Sequence, residues 1–330
     1  MNNKPHPEHH LPQLPMGVRI LSGAEADTVD LGPLKDLEGE WVGAPFDGWN
    51  VISVPAPVRN GGGPGGFVVE VIPYKETLTF RPVVQAGNRG VFTGDNQAEQ
   101  LITGLVYEQR ITSVCNAPKC VEMGFGEGQE IHVETGLLLY IKDCVKTDKN
   151  DTSCAVADLN IARLATIPHG NSVLALGSFD TKVPDDNNFF PEAPTRPVVV
   201  NKGDAFQLGY NNVFGPPFMF PQFATSDPNR FLQNTLNDRL QVIEAMTTIH
   251  MSSTNASGGI LNIPFNKTDI KTTDMQATFY IQQIKGSKDL QLQYTQTINL
   301  VFPGLNNEIP AKPIPAIWPH ITVNTLTKVK

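Results

Sequence analysis

From Leu290 to Leu300 apolar and polar residues alternate almost without a break. Leu290, Leu292, Tyr294, Ile298 and Leu300 fall on one parity, and Gln291, Gln293, Thr295, Thr297 and Asn299 on the other. A side-chain period of two is the mark of a half-buried β-strand. The segment before it behaves the same way, with Met275, Ala277, Phe279 and Ile281 set against Gln276, Thr278, Tyr280 and Gln282. The link between them, KGSKD, carries Gly286 at its centre and reads as a hairpin turn. Further strands are predicted at 49–54, 67–72, 76–84, 101–114, 131–142, 155–167, 173–179, 248–253 and 317–326, with Gly, Pro, Asn or Asp in almost every gap. One short helix is expected after Asp227-Pro228, where Phe231, Leu232, Leu236 and Leu240 fall near helical spacing.

About ten antiparallel strands in succession point to a meander that closes into a barrel, because closure removes exposed sheet edges. The fold class is therefore all-β, an antiparallel barrel with one short helix and long irregular loops. The proline-rich stretch 183–225 is expected to run irregularly over the barrel surface. No internal repeat or linker divides the chain, so residues 18–330 read as one enlarged barrel domain behind a disordered tail, 1–17, which holds His6, His9 and His10.

Composition supports this picture. Gly (28) and Pro (27) make up about a sixth of the 330 residues, an excess of turn formers over helix formers. Charge narrows the partners. A net charge of -8, with no run of Lys and Arg, argues against nucleic acid or an anionic membrane surface. No apolar run approaches the ~20 residues that span a bilayer, so membrane insertion is not expected, and a cytoplasmic location is. Cys115, Cys120, Cys144 and Cys154 form no Cys-x-x-Cys pair, and free thiols are the expectation in that compartment.

Candidate chemistry rests on a few polar side chains. His132 and Glu134 lie two apart in a strand and so share a face, where a carboxylate can orient an imidazole. The other face (Ile131, Val133, Thr135, Leu137, Leu139, Ile141) is the more apolar. Alternation alone would turn that face inward, so a site at His132 requires a polar lumen or a covered outer wall. His169 sits in the turn IPHGN, and His320 follows Pro319, which interrupts strand hydrogen bonding and can re-aim a side chain toward a cavity. Arg89, in NRG after a long strand, would mark a barrel rim facing an acidic ligand group. His132, Glu134 and His169 also make a plausible set for a divalent, non-haem metal ion. The glycine-rich RNGGGPGG (59–66) lacks the Lys-Ser/Thr of a phosphate loop, and no Gly-x-Ser-x-Gly elbow is present.

Four fragments together resemble the nitrobindin-like haem-binding barrels, a lipocalin-like architecture, of which this chain would be an enlarged branch. They are LEGEWVG (37–43), YKETLTF (74–80), IHVETGLLLY (131–140) and the histidine of IWPHITVNTL, His320. The resemblance implies a lipocalin-like barrel with Trp41 plugging its base, His320 on the proximal side of a haem iron and His132 near the distal face. The cofactor-binding set is then His320, His132, Glu134, Trp41, Arg89 and His169. Binding of a hydrophobic small molecule, most specifically haem, with gas or peroxide chemistry, is the function implied. A non-haem metal enzyme and a haem-free carrier of a fatty acid-like ligand are the alternatives. No catalytic residue and no oligomeric state is implied.

Overall fold

A computed structural model describes residues 29–55, 67–93, 96–122, 124–146, 152–168, 170–199, 210–214, 226–263, 270–301 and 316–329. In chain order the strands are β1 (39–55), β2 (67–93), β3 (96–113), β4 (130–146), β5 (152–167), β6 (171–180), β7 (198–199), β8 (210–214), β9 (243–252), β10 (259–262), β11 (271–284), β12 (290–301) and β13 (316–329). Three short helices accompany them: a 3₁₀ turn at Gly32–Leu37, α1 at Pro118–Glu122 and α2 at Asn229–Asp238.

Ten strands pair antiparallel in the order β1-β13-β12-β11-β9-β6-β5-β4-β3-β2, and β1 pairs back onto β2 to close the barrel. The hairpin predicted from alternation is β11–β12, and the turn after Asp227-Pro228 does start α2. Two predicted strands, 67–72 and 76–84, are one long strand, because Pro73 is tolerated without breaking pairing to β1. That strand also runs through Asn88-Arg89-Gly90. Arg89 therefore stands in a strand rather than a turn, opposite Glu99 of β3, and its side chain is outside the described part.

The lumen is filled rather than hollow. Every barrel strand contributes to one core cluster, including Trp41, Leu78, Phe80, Leu105, Leu138, Ile161, Ala175, Ile249, Phe279, Leu292 and Leu326. Leu31, Leu34 and Leu37 of the 3₁₀ segment enter the same cluster and close one end. Trp41 is fully buried there, donating its indole N–H to the Leu37 carbonyl at 2.7 Å while Lys328 Nζ sits 5.5 Å from the ring centre. One end of the barrel is thus plugged by this chain's own apolar residues.

The outer wall is covered on one side. Trp49, Val51, Val69, Val71, Ile321 and Val323 form a second cluster with Ala193 and with Leu232 of α2. Asp227 ties the two covering segments together, accepting from the backbone N–H of Ala193 (2.9 Å) and of Asn229 (3.2 Å). Beneath α2 the polar parity of β11–β12 is buried as well. Gln291 donates to Gln282 (2.9 Å), Gln282 to Gln293 (3.0 Å), and Gln293 to the Leu232 carbonyl (3.1 Å). A polar strand face under a helix is stable only when its amides are paired in this way.

The cysteines correct one expectation. Cys115 and Cys120 are disulfide-bonded, with Cα atoms 6.1 Å apart, because the single turn of α1 brings Cys120 back over Cys115. Cys144 and Cys154 face each other in the β4–β5 register, and their side chains lie outside the described part.

Candidate functional site

Lumen-facing positions alternate along each strand, and on β4 they are the even ones. Tyr140, Leu138 and Glu134 are buried, whereas Val133, Leu137 and Leu139 are only half-buried and Thr135 is exposed. The more apolar parity therefore faces outward, and His132 with Glu134 faces in. Period-two alternation distinguishes two faces but does not say which is inside; here the middle of the lumen is polar.

Glu134 is the centre of the first of two polar networks. Arg163, on β5, donates from Nη2 to Glu134 Oε1 (2.6 Å), from Nε to the Tyr107 hydroxyl (2.9 Å) and from Nη1 to Gln296 Oε1 (2.7 Å). Tyr107, on β3, donates a short hydrogen bond to the same carboxylate oxygen. Gly136 makes the room for it, since a Cβ there would lie 2.9 Å from the Tyr107 hydroxyl. His132 Nε2 stands 3.3 Å from Glu134 Oε2, on the side away from Tyr140 and the plug. The guanidinium also lies over the Tyr107 and Phe279 rings, at 5.4 and 5.9 Å.

The second network surrounds Glu76 on β2. Gln109 Nε2 (2.7 Å), the Tyr294 hydroxyl (2.7 Å) and Asn324 Nδ2 (2.6 Å) all donate to its carboxylate. Tyr74 and Tyr294 share a hydroxyl–hydroxyl bond of 3.0 Å, and Gln109 Nε2 also reaches Tyr294 at 3.2 Å. Gln109 and Tyr294 stand next to the first network, so the two carboxylates occupy one polar floor across the lumen.

Electrostatics separate the two acids. Burial raises the cost of ionising Glu134, but the Arg163 charge and the His132 and Tyr107 bonds outweigh it and bring the pKa to about 2, from 4.5. Burial pushes Glu76 the other way, above its ordinary value, and the bonds from Gln109, Tyr294 and Asn324 recover only part of that cost. The Tyr107 and Tyr294 phenols are raised, first by burial, and stay protonated.

A pH prediction follows. A depressed carboxylate stabilises the fold above its unfolded pKa and loses that contribution as pH falls through the folded value. The Glu134 contribution, on the order of 3 kcal/mol for this shift, should disappear between pH 4.5 and about 2. Glu76 acts oppositely, since protonation relieves its burial cost. Denaturant midpoints measured across this range should fall in the natural chain and fall less steeply in Glu134→Gln, where the lowered Asp30 beside Lys142 still contributes. A slope of equal size in both proteins would contradict the assignment.

His320 lies across the barrel on β13. It shares the lumen-facing parity of Asn324 and Leu326, and its Nε2 is 2.5 Å from Asn50 Oδ1, which also accepts from Thr322 at 3.2 Å. Like His132, it sits toward the end of the lumen away from the plug. The structure thus brings His132 and Glu134 into one network and puts His320 on the facing wall. It assigns Trp41 to the plug, and His169 lies outside the described residues. Among those described, no three His, Cys, Asp or Glu side chains cluster as a metal site would require.

Arg163, Tyr107, Glu76, Tyr294 and Gln296 are the site residues that sequence reasoning did not single out. The signal was present in NIARLATI, where one arginine stands among apolar neighbours in a strand. A cation there is buried only if a carboxylate meets it.

No protein-family model matches the chain, and no curated protein matches it. Among solved structures, the crystal structure of Rv2717c from M. tuberculosis aligns over 91% of this chain and 100% of that one, with a TM-score of 0.37 and 14% identity. The barrel is established by the strand pairing itself, which closes without reference to a relative. No described helix is long and apolar enough to cross a membrane.

Proposed function

We propose that the barrel binds a hydrophobic small molecule at the end of its lumen opposite the Trp41 plug, and that haem is this molecule. The observation that supports it is the placement of two histidines. His132 and His320 lie on facing walls, both on the lumen side and both beyond the polar floor. Barrel mouths are common ligand sites, with an apolar wall and a few placed polar groups. Haem is the ligand that the sequence resemblance implies.

The packed middle leaves no room for a porphyrin, so haem would lie above the floor. His320, which bonds Asn50, would hold the iron, and His132, which bonds Glu134, would stand near the bound group. When bound, the iron would supply diatomic-gas binding or peroxide chemistry. The residues of the chain orient the group and keep bulk water from the floor. The Cys115–Cys120 disulfide favours an oxidising compartment over the cytoplasm, where thiols are kept reduced.

Titrating the full chain with haem should give a saturable one-to-one Soret band. His320→Ala should weaken it at least tenfold while leaving the unfolding midpoint close to that of the natural chain. Equal affinity in the variant would remove His320 from the site. The second reading, a haem-free carrier of an apolar molecule, is favoured by one observation: Nε2 of each histidine already has a side-chain partner. Absence of any saturable band, together with a lipid in organic extracts of the purified protein, would select it.

A further inference from the structure

Below the mouth, between the two carboxylate networks, a small space is lined by Tyr107, Gln109, Arg163, Tyr294 and Gln296, with Phe80 and Phe279 among its apolar walls. Its volume is about 10 Å³, the size of one water molecule. Two buried amides that line it are each half used. Gln109 donates through Nε2 to Glu76 and to Tyr294, and its Oε1 accepts no hydrogen bond among the described residues. Gln296 accepts through Oε1 from Arg163, and its Nε2 donates no hydrogen bond among the described residues. Both residues are more than nine-tenths buried.

Neither amide is free to be turned round. Flipping Gln109 would aim an oxygen at the Glu76 carboxylate, and flipping Gln296 would aim an N–H₂ group at the Arg163 guanidinium. The two unmatched atoms are therefore one acceptor and one donor, on residues that both line this small space, and they are not bonded to each other. An unmade hydrogen bond at a buried amide is costly, and natural interiors nearly always satisfy such groups.

We infer that this space is a built site for a single water molecule, which donates to Gln109 Oε1 and accepts from Gln296 Nε2. The chemistry of the walls selects the occupant. A cation would stand against Arg163, and an anion would stand within a floor that already holds Glu76 and Glu134. An apolar atom would leave both amides unpaired. Only a neutral molecule of this size with both a donor and an acceptor satisfies every group, and the N–H groups of Arg163 not used by Glu134, Tyr107 and Gln296 can supply a third bond.

The water does more than fill space. It joins the Glu76 network to the Glu134 network, making one continuous hydrogen-bonded chain from Asn324 and Glu76 through Gln109, the water, Gln296 and Arg163 to Glu134 and His132. The floor of the barrel is then one rigid unit rather than two, independent of whatever ligand occupies the mouth.

A crystal structure of the full chain at a resolution that shows ordered water tests this directly. One density peak about 2.7–3.2 Å from both Gln109 Oε1 and Gln296 Nε2 is expected. Empty density there, or amides that have closed onto each other, would overturn the site. Oxygen-17 relaxation of bulk water gives an independent count of long-lived internal waters. Gln296→Met should lower that count by one; an unchanged count in a folded variant would also overturn the site.

Discussion

Arg163→Leu should destabilise the protein by about 3–5 kcal/mol, because it leaves the Glu134 carboxylate buried without its counter-charge. Few substitutions in the chain should cost more. The guanidinium is almost wholly buried and makes three side-chain bonds in three directions, to Glu134, Tyr107 and Gln296. Its loss orphans an ion, a phenol and an amide at once. The double variant Arg163→Leu with Glu134→Leu should recover much of the loss, because replacing both members of a buried pair by apolar groups is often neutral or better. Urea unfolding of the two proteins, compared at pH 7, measures the difference. A single variant that costs less than about 1 kcal/mol would mean that bulk solvent reaches Glu134.

The second large effect is expected at the plug. Trp41→Ala removes the largest side chain of the closed end, and a fully buried tryptophan truncated to alanine costs about 3–5 kcal/mol. The indole also caps the 3₁₀ turn through its bond to the Leu37 carbonyl, so backbone amides of residues 31–37 should lose protection together with the global fold. Thermal unfolding and amide exchange check both parts. If residues 31–37 exchange in the natural chain as fast as in the variant, the segment is not a plug. His320→Ala provides the contrast, since His320 is half-buried at the opposite end and its loss should affect ligand binding far more than stability.

Much of the barrel was legible because its strands alternate cleanly. The hairpin of β11 and β12, the helix after Asp227-Pro228 and a closed antiparallel barrel all follow from periodicity and turn residues. The hidden part has a common physical origin. This barrel buries polar groups on both sides of its wall, so the usual equation of apolar with inside fails. On β4 it fails inward, where His132 and Glu134 face the lumen. On β11 and β12 it fails outward, where Gln282, Gln291 and Gln293 lie under α2. A sequence shows which residues share a face, but their partners lie far away along the chain. Arg163 meets Gln296, and Glu76 meets Tyr294 and Asn324, across separations that no local pattern encodes. The disulfide was hidden for the opposite reason. Cys115 and Cys120 are close in sequence, but their pairing depends on the single turn of α1 and on a compartment that the sequence had suggested was reducing.

The mouth and the plug are the two ends of one lumen, and the proposed ligand enters only at the mouth. Hydrogen–deuterium exchange of the full chain, with and without saturating haem, distinguishes them. Protection should rise around His320 on β13, around His132 on β4 and at Asn50 on β1, with little change in residues 31–37 or at Trp41. Protection that gathers at the plug, or none anywhere on the lumen-facing strands, would contradict a ligand site at the His132–His320 end.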